Sequence, residues 1–170
     1  MNLIELKKQI PDIFERVKRD VERVINQHRA GLSLGLVDMG FSRGGFIGGM
    51  YFSGGTMILM NSSALKLLIS KSEIAEISEE IILAYVYHIL LHEYIHSLGY
   101  LNERTCHRIT SFVTKEVIPN PEDPAHIMAT RGIGVYFPEI KYAPVGYKMQ
   151  NNLYIEHVEN FDKGSTNYYS

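Results

Sequence analysis

The sequence predicts an α+β domain, and three observations carry the prediction. A long apolar helical pattern runs through the middle of the chain, a second and amphipathic one opens it, and short β-rich segments bounded by glycines lie between them. With 170 residues the chain can bury a real core but is short for two domains, so one domain over 1–170 is expected.

In chain order, Ile10, Ile13, Phe14, Val17, Val21, Val24 and Ile25 recur at helical spacing. Pro11 suits a first-turn position and Gly31 a stop. Leu32 to Asp38 reads as a strand. Met50 to Ser53 and Thr56 to Met60 flank Gly54-Gly55, the pattern of a hairpin with a two-residue turn. Seven glycines fall between Gly40 and Gly55, but they match neither G-x-G-x-x-G nor a phosphate loop ending in Gly-Lys-Ser/Thr. A flap over a cleft is the other use such glycines can have.

Ser78 to Leu91 then reads as one helix. Ser78 suits the N-cap, and Glu79 and Glu80 suit the positive end of the helix dipole. The helix is apolar nearly all round, which predicts burial, and Gly99 is a natural stop. Its last turns carry His92-Glu93-Tyr94-Ile95-His96, an H-E-x-x-H motif. Residues four apart share a helix face, so both imidazoles can reach one metal ion. Glu93 lies about 100° round the helix from His92, beside such an ion rather than on it. Zn²⁺ lowers the pKa of a bound water to roughly 7, and a neighbouring carboxylate serves as general base. The spacing thus predicts two ligands and a base. The bland alternative is a pair of buried histidines bonded to a glutamate. His88, one turn earlier, is expected to support the core or the ligands, because it sits about 6 Å below His92 along the axis.

The stretch His92-Glu93-Tyr94-Ile95-His96-Ser97-Leu98-Gly99 resembles the extended motif of the zincin metallopeptidases, in particular the H-E-x-x-H-x-x-G of the metzincin branch. That branch places a third histidine three residues after the glycine, where this chain has Asn102. The gluzincin branch uses a glutamate from a following helix, often in an Asn-Glu pair. Asn102-Glu103 resembles that pair but comes earlier in the chain. The chain is also similar to small archaeal zincin-like proteins called minigluzincins. The resemblance is specific over 92–103 and loose elsewhere. It implies a zincin-like fold, with a small twisted mixed sheet packed against the motif helix and further helices. It also implies one catalytic Zn²⁺ and a peptide or protein substrate. In zincins the edge strand of the sheet binds an extended peptide, and Thr56 to Asn61 is the expected edge. A methionine turn under the zinc is suggested by Ile127-Met128, although methionine is also a common core filler. His126 beside it is either a support for the site or a surface residue.

The third ligand has several candidates. On a straight helix Glu103 would lie about 10 Å beyond His96, so it can approach only if the chain turns back at Gly99. Glu103 is the first choice, His107 the second and Glu116 the third. Asn102 and Glu103 also suit the cap and first turn of a helix from Arg104 to Val117, closed by Pro119 and a proline-rich loop to Pro124. Tyr154 to Ser170 reads as an edge strand with a loose tail at 160–170. A sharper possibility is that this tail enters the cleft and keeps the enzyme latent, with His157 or Asp162 on the metal.

The expected function is therefore zinc-dependent peptide hydrolysis, with Glu93 as base and His92, His96 and Glu103 on the metal. The rivals are a catalytically inert or latent zinc-binding regulatory or interaction module, and a hydrolase of non-peptide amides. A net charge of −2 gives no basic footprint for nucleic acid. The apolar run from Ile81 to Leu91 is far short of the roughly 20 residues that span a membrane. No signal-peptide pattern is visible, and the single Cys106, read as structural, excludes an internal disulfide; a cytoplasmic location is expected.

Overall fold

Helix α1 (Leu3–Ile25) starts from a capping box, in which the Asn2 side chain accepts from the Glu5 N–H and Glu5 reaches back to Asn2. This cap extends the helix well before the expected start. Pro11 therefore lies inside α1 and not in its first turn. The helix ends at Asn26, which takes the left-handed conformation, and Gly31 follows in the loop. Leu6, Ile10, Phe14, Val17 and Val21 form one fully buried stripe, each worth about 1.5–3 kcal/mol of burial. In this computed structural model, residues 1–42, 44–144, 147–150 and 152–163 are described.

Strands β1 (Ser33–Val37), β2 (Phe46–Ile47), β3 (Gly49–Tyr51) and β4 (Met57–Asn61) come next. Helices α2 (Ser62–Glu73), α3 (Glu79–Ser97), α4 (Glu103–Val117) and α5 (Pro124–Arg131) follow, then β5 (Ile140–Lys141) and β6 (Ile155–His157). The architecture is mixed α+β. The main sheet has the order β3-β4-β1-β6, with β1 and β4 parallel and the outer pairs antiparallel. A second, two-stranded parallel sheet joins β2 to β5. Helix α3 runs through the core, packed on α1, α4, α5 and β3. Among the described residues no helix is long and apolar enough to cross a membrane.

Two further expectations change. The hairpin exists, but Tyr51 pairs with Ile58, so the connection is wider than two residues and contains a β-turn closed by the Gly55 N–H on the Phe52 carbonyl (2.9 Å). Gly54, at φ +80°, supplies the left-handed residue of that turn. The segment Thr56 to Asn61 is not an edge: β4 lies between β3 and β1, and the edge strands are β3 and β6. Burial explains this, because Ile58, Leu59 and Met60 are fully enclosed. Of the two readings of Ile127-Met128 the core filler holds and the methionine turn does not, because Asp123 caps a two-turn helix there: its side chain accepts from the Ala125 N–H and Pro124 starts the helix. Met128 is core in that helix, and His126 bonds the Ile118 carbonyl at the end of α4 (2.7 Å). Helix α2, capped by Asn61, was not anticipated from the sequence.

Among the described residues the C-terminal segment carries no metal donor into the cleft. His157 is an exposed residue of β6, paired with Gly35. The Asp162 carboxylate is buried against Lys18 (2.5 Å) and accepts from the Leu32 N–H. The remainder of the tail, 164–170, lies outside the described residues.

Candidate metal centre

Helix α3 presents the motif as expected. The Ser78 hydroxyl accepts from the Ile81 N–H, and the helix stops at Ser97, with Gly99 at φ +110° turning the chain back. A side chain at that φ would be strained, so glycine is what permits the turn. Asn102 then caps α4 by accepting from the Thr105 N–H, and Glu103 becomes the first helical residue. The turn brings the first turns of α4 beside the last turns of α3.

The result is a convergence of four donors. His96 Nε2 is 2.7 Å from Glu103 Oε1. His92 Nε2 and His107 Nε2 lie 3.2 Å and 3.4 Å from Glu103 Oε2. Each imidazole on α3 is oriented from behind. His96 Nδ1 donates to the Tyr100 carbonyl (2.8 Å), which can only accept, so Nε2 is the atom turned to Glu103. Cys106 donates its S–H to the His92 carbonyl (3.2 Å), and its sulfur receives His92 Nδ1–H at 3.6 Å. The Cys106 thiol is fully buried, and burial pushes its pKa up; its sulfur also lies within mutual ligand range of His92 and His96. Glu116 is placed elsewhere, in a surface groove with Arg23 and Phe112, and is excluded as a partner of this cluster.

Charge and burial set the protonation. Burial lowers the pKa of His92, against the opposing pull of Glu103. For His96 burial also lowers it, but Cys106 and Glu103 more than offset this and raise it to about 11. Glu103 is held well below the usual carboxylate range, burial being outweighed by the two imidazoles. Without an ion, His96 and Glu103 thus share a proton in a charge-assisted bond. Glu93 is 4 % exposed, and burial pushes its carboxyl up to about 8.

These residues fit a metal ion. Two ligands about 2.0–2.1 Å from a tetrahedral zinc are roughly 3.3 Å apart, which matches the 3.2 Å and 3.4 Å separations at Glu103 Oε2. That same oxygen is buried and completes no hydrogen bond of good geometry. A buried carboxylate oxygen facing two imidazole nitrogens is the position a cation satisfies.

The cluster opens into a cleft of about 270 Å³. It is lined by His92, Glu93, His96 and Glu103, by edge strand β3 with Phe52 and Ser53 after it, and by Leu101, Tyr142 and Tyr147. Gly49 lets β3 lie directly on α3: a Cβ there would be 2.8 Å from the Leu59 carbonyl and 2.9 Å from Ile89 Cγ2. Tyr142 was not found by sequence reasoning. Its ring packs at 4.5 Å on His92 and 4.4 Å on His107, and its hydroxyl is 2.6 Å from His88 Nε2. Nothing near Tyr142 in the chain marks it, since its partners are 35 or more residues away. Arg29 was also missed. Its guanidinium donates to the Ser97 carbonyl, the Tyr51 hydroxyl and the Gly55 carbonyl, tying the end of α3 to the hairpin.

No protein family, curated protein or solved structure matches the chain.

Proposed function

We propose that this protein is a zinc-dependent metallopeptidase of zincin type, working on peptide or protein substrates. The observation that carries the reading is the approach of His92 and His96 to the two carboxylate oxygens of Glu103, at a cleft that the Glu93 carboxylate also lines. In this reading His92, His96 and Glu103 hold the ion. Bound there, Zn²⁺ supplies Lewis acidity toward water and toward a scissile carbonyl.

The remaining work falls to the chain. Glu93 takes the proton from the attacking water and returns it to the leaving amine. Among the described residues strand β3 has one sheet partner, so its other side can pair with an extended peptide and lay it across Glu93. The walls around Met50, Phe52 and Leu101 exclude water from the bound segment. The His88–Tyr142 bond holds the Tyr142 ring against His92, which limits that imidazole's motion. A cytoplasmic setting is part of the proposal and agrees with a single, buried thiol.

The test is zinc content and hydrolysis together. Purified protein should hold about one zinc per chain and cleave an unfolded protein substrate such as casein. Chelation should abolish cleavage and zinc should restore it. Bound zinc with no cleavage across a broad peptide pool would instead favour an inert zinc-binding module.

A further inference from the structure

The donor cluster has more members than a three-ligand catalytic site requires. His92 and His96 are one turn apart on α3, and Glu103 and His107 are one turn apart on α4. Each helix therefore contributes a pair at i, i+4, and the two pairs face each other. This is the arrangement by which facing helices build metal sites. His92 Nε2, Glu103 Oε2 and His107 Nε2 lie within mutual ligand range. The Tyr142 ring packs on both His92 and His107, which also contact each other at 4.8 Å between ring centroids, and this limits the motion of both.

We propose that His107 is a fourth protein ligand, which closes the site from the α4 side until an occupant of the cleft displaces it. The inference rests on the zinc reading above and concerns its regulation. The burial of the four residues divides by helix: His92 and His96 on α3 are buried, whereas on α4 the Glu103 and His107 side chains are 36 % and 42 % exposed, so it is the α4 side that has room to move, and His107 has the more. Tyr142 belongs both to the cleft wall and to the support of His107, so a substrate that shifts Tyr142 also loosens the fourth ligand. The competing account is an ordinary half-exposed histidine paired with Glu103 in the first turn of α4, with no part in holding the ion.

Cobalt(II) separates the two without any use of catalysis. Chelator-stripped protein and its His107→Ala and His107→Cys variants are titrated with Co²⁺ and followed by visible and near-ultraviolet absorption. His107 is substantially exposed, so both variants should fold, which circular dichroism checks. The expected result for His107→Ala is a changed d–d spectrum and at least a ten-fold loss of affinity, since even residues behind the ligands cost 10–100-fold. It should also bind acetohydroxamate more readily than the wild type, because a coordination position has been vacated. His107→Cys should gain an intense thiolate-to-cobalt charge-transfer band that the wild type lacks. An unchanged spectrum and affinity in His107→Ala, or no new band in His107→Cys, overturns the role of His107 and leaves the zinc reading standing. Failure of the wild type to bind either Co²⁺ or Zn²⁺ removes the zinc reading itself, and this inference with it.

Discussion

Glu93→Gln separates what Glu93 does to folding from what it does to chemistry. The side chains are nearly isosteric, and the carboxyl is buried with its pKa raised from 4.5 to about 8. At pH 7 the metal-free native state therefore holds a proton that the unfolded chain has released. Folding must take up that proton, which costs about 1.36 kcal/mol for each pH unit between 4.5 and 7, or up to about 3 kcal/mol. Glutamine takes up none. The sign follows directly. The favourable contribution of a raised carboxyl is complete below pH 4.5 and is lost as pH rises to about 8. Metal-free Glu93→Gln should then match the wild type near pH 4, exceed it by up to about 3 kcal/mol at pH 7, and run parallel to it above pH 8. Urea melts of chelator-treated proteins across that range measure the difference, which cancels the titration of the histidines common to both. In the zinc-loaded protein the same variant should keep its metal and lose about 10²–10⁴-fold in hydrolysis. A stability difference that does not vary with pH would refute the burial argument. Full hydrolysis by Glu93→Gln would refute the general-base role.

Other perturbations reach different parts of the structure. Glu103→Ala removes the carboxylate on which three imidazoles converge and should weaken zinc binding by more than ten-fold, read by competition with a chromophoric chelator; unchanged affinity would mean that Glu103 serves only the first turn of α4. Gly49→Ala drives a Cβ into the Leu59 carbonyl and Ile89 and should cost about 1–3 kcal/mol in urea melts. A neutral effect there would mean β3 can lift away from α3. Lys18→Met takes the cation from the buried Asp162 carboxylate and should cost about 3–5 kcal/mol, with zinc affinity unaffected.

Helix α3 was legible in the sequence because its signals are local and agree: a capping serine, acidic first-turn residues, an apolar body and a glycine after the end. The same holds for α4, whose Asn102 cap and Glu103 first turn sit where the sequence places them. The third donor was harder, since Glu103 reaches the imidazoles only through the turn at Gly99, and no periodicity encodes the direction of a turn. The edge strand was misread because β4 finds its second neighbour in β1, a parallel pairing across a long connection that leaves no local trace. Pro11 misled by a different route. Proline is usual in a first turn, but the Asn2–Glu5 box and the buried stripe from Leu6 to Val21 together outweigh the hydrogen bond that Pro11 cannot make. Tyr142 and Arg29 act through partners distant in the chain, and single-sequence patterns do not report such contacts.

The order of assembly is written into the spacing of the donors. All four lie between His92 and His107, on one helical hairpin, whereas β1 meets β6 only across more than a hundred residues. Local contacts form early and distant pairings late. An ion captured by the α3–α4 hairpin would therefore stabilise that hairpin while the sheet is still incomplete. The wall at β3 and the strap from Arg29 would close over it afterwards. Metal would then act first as a folding template and only later as a reagent, so that zinc scarcity during synthesis would lower the yield of folded chain as well as its activity.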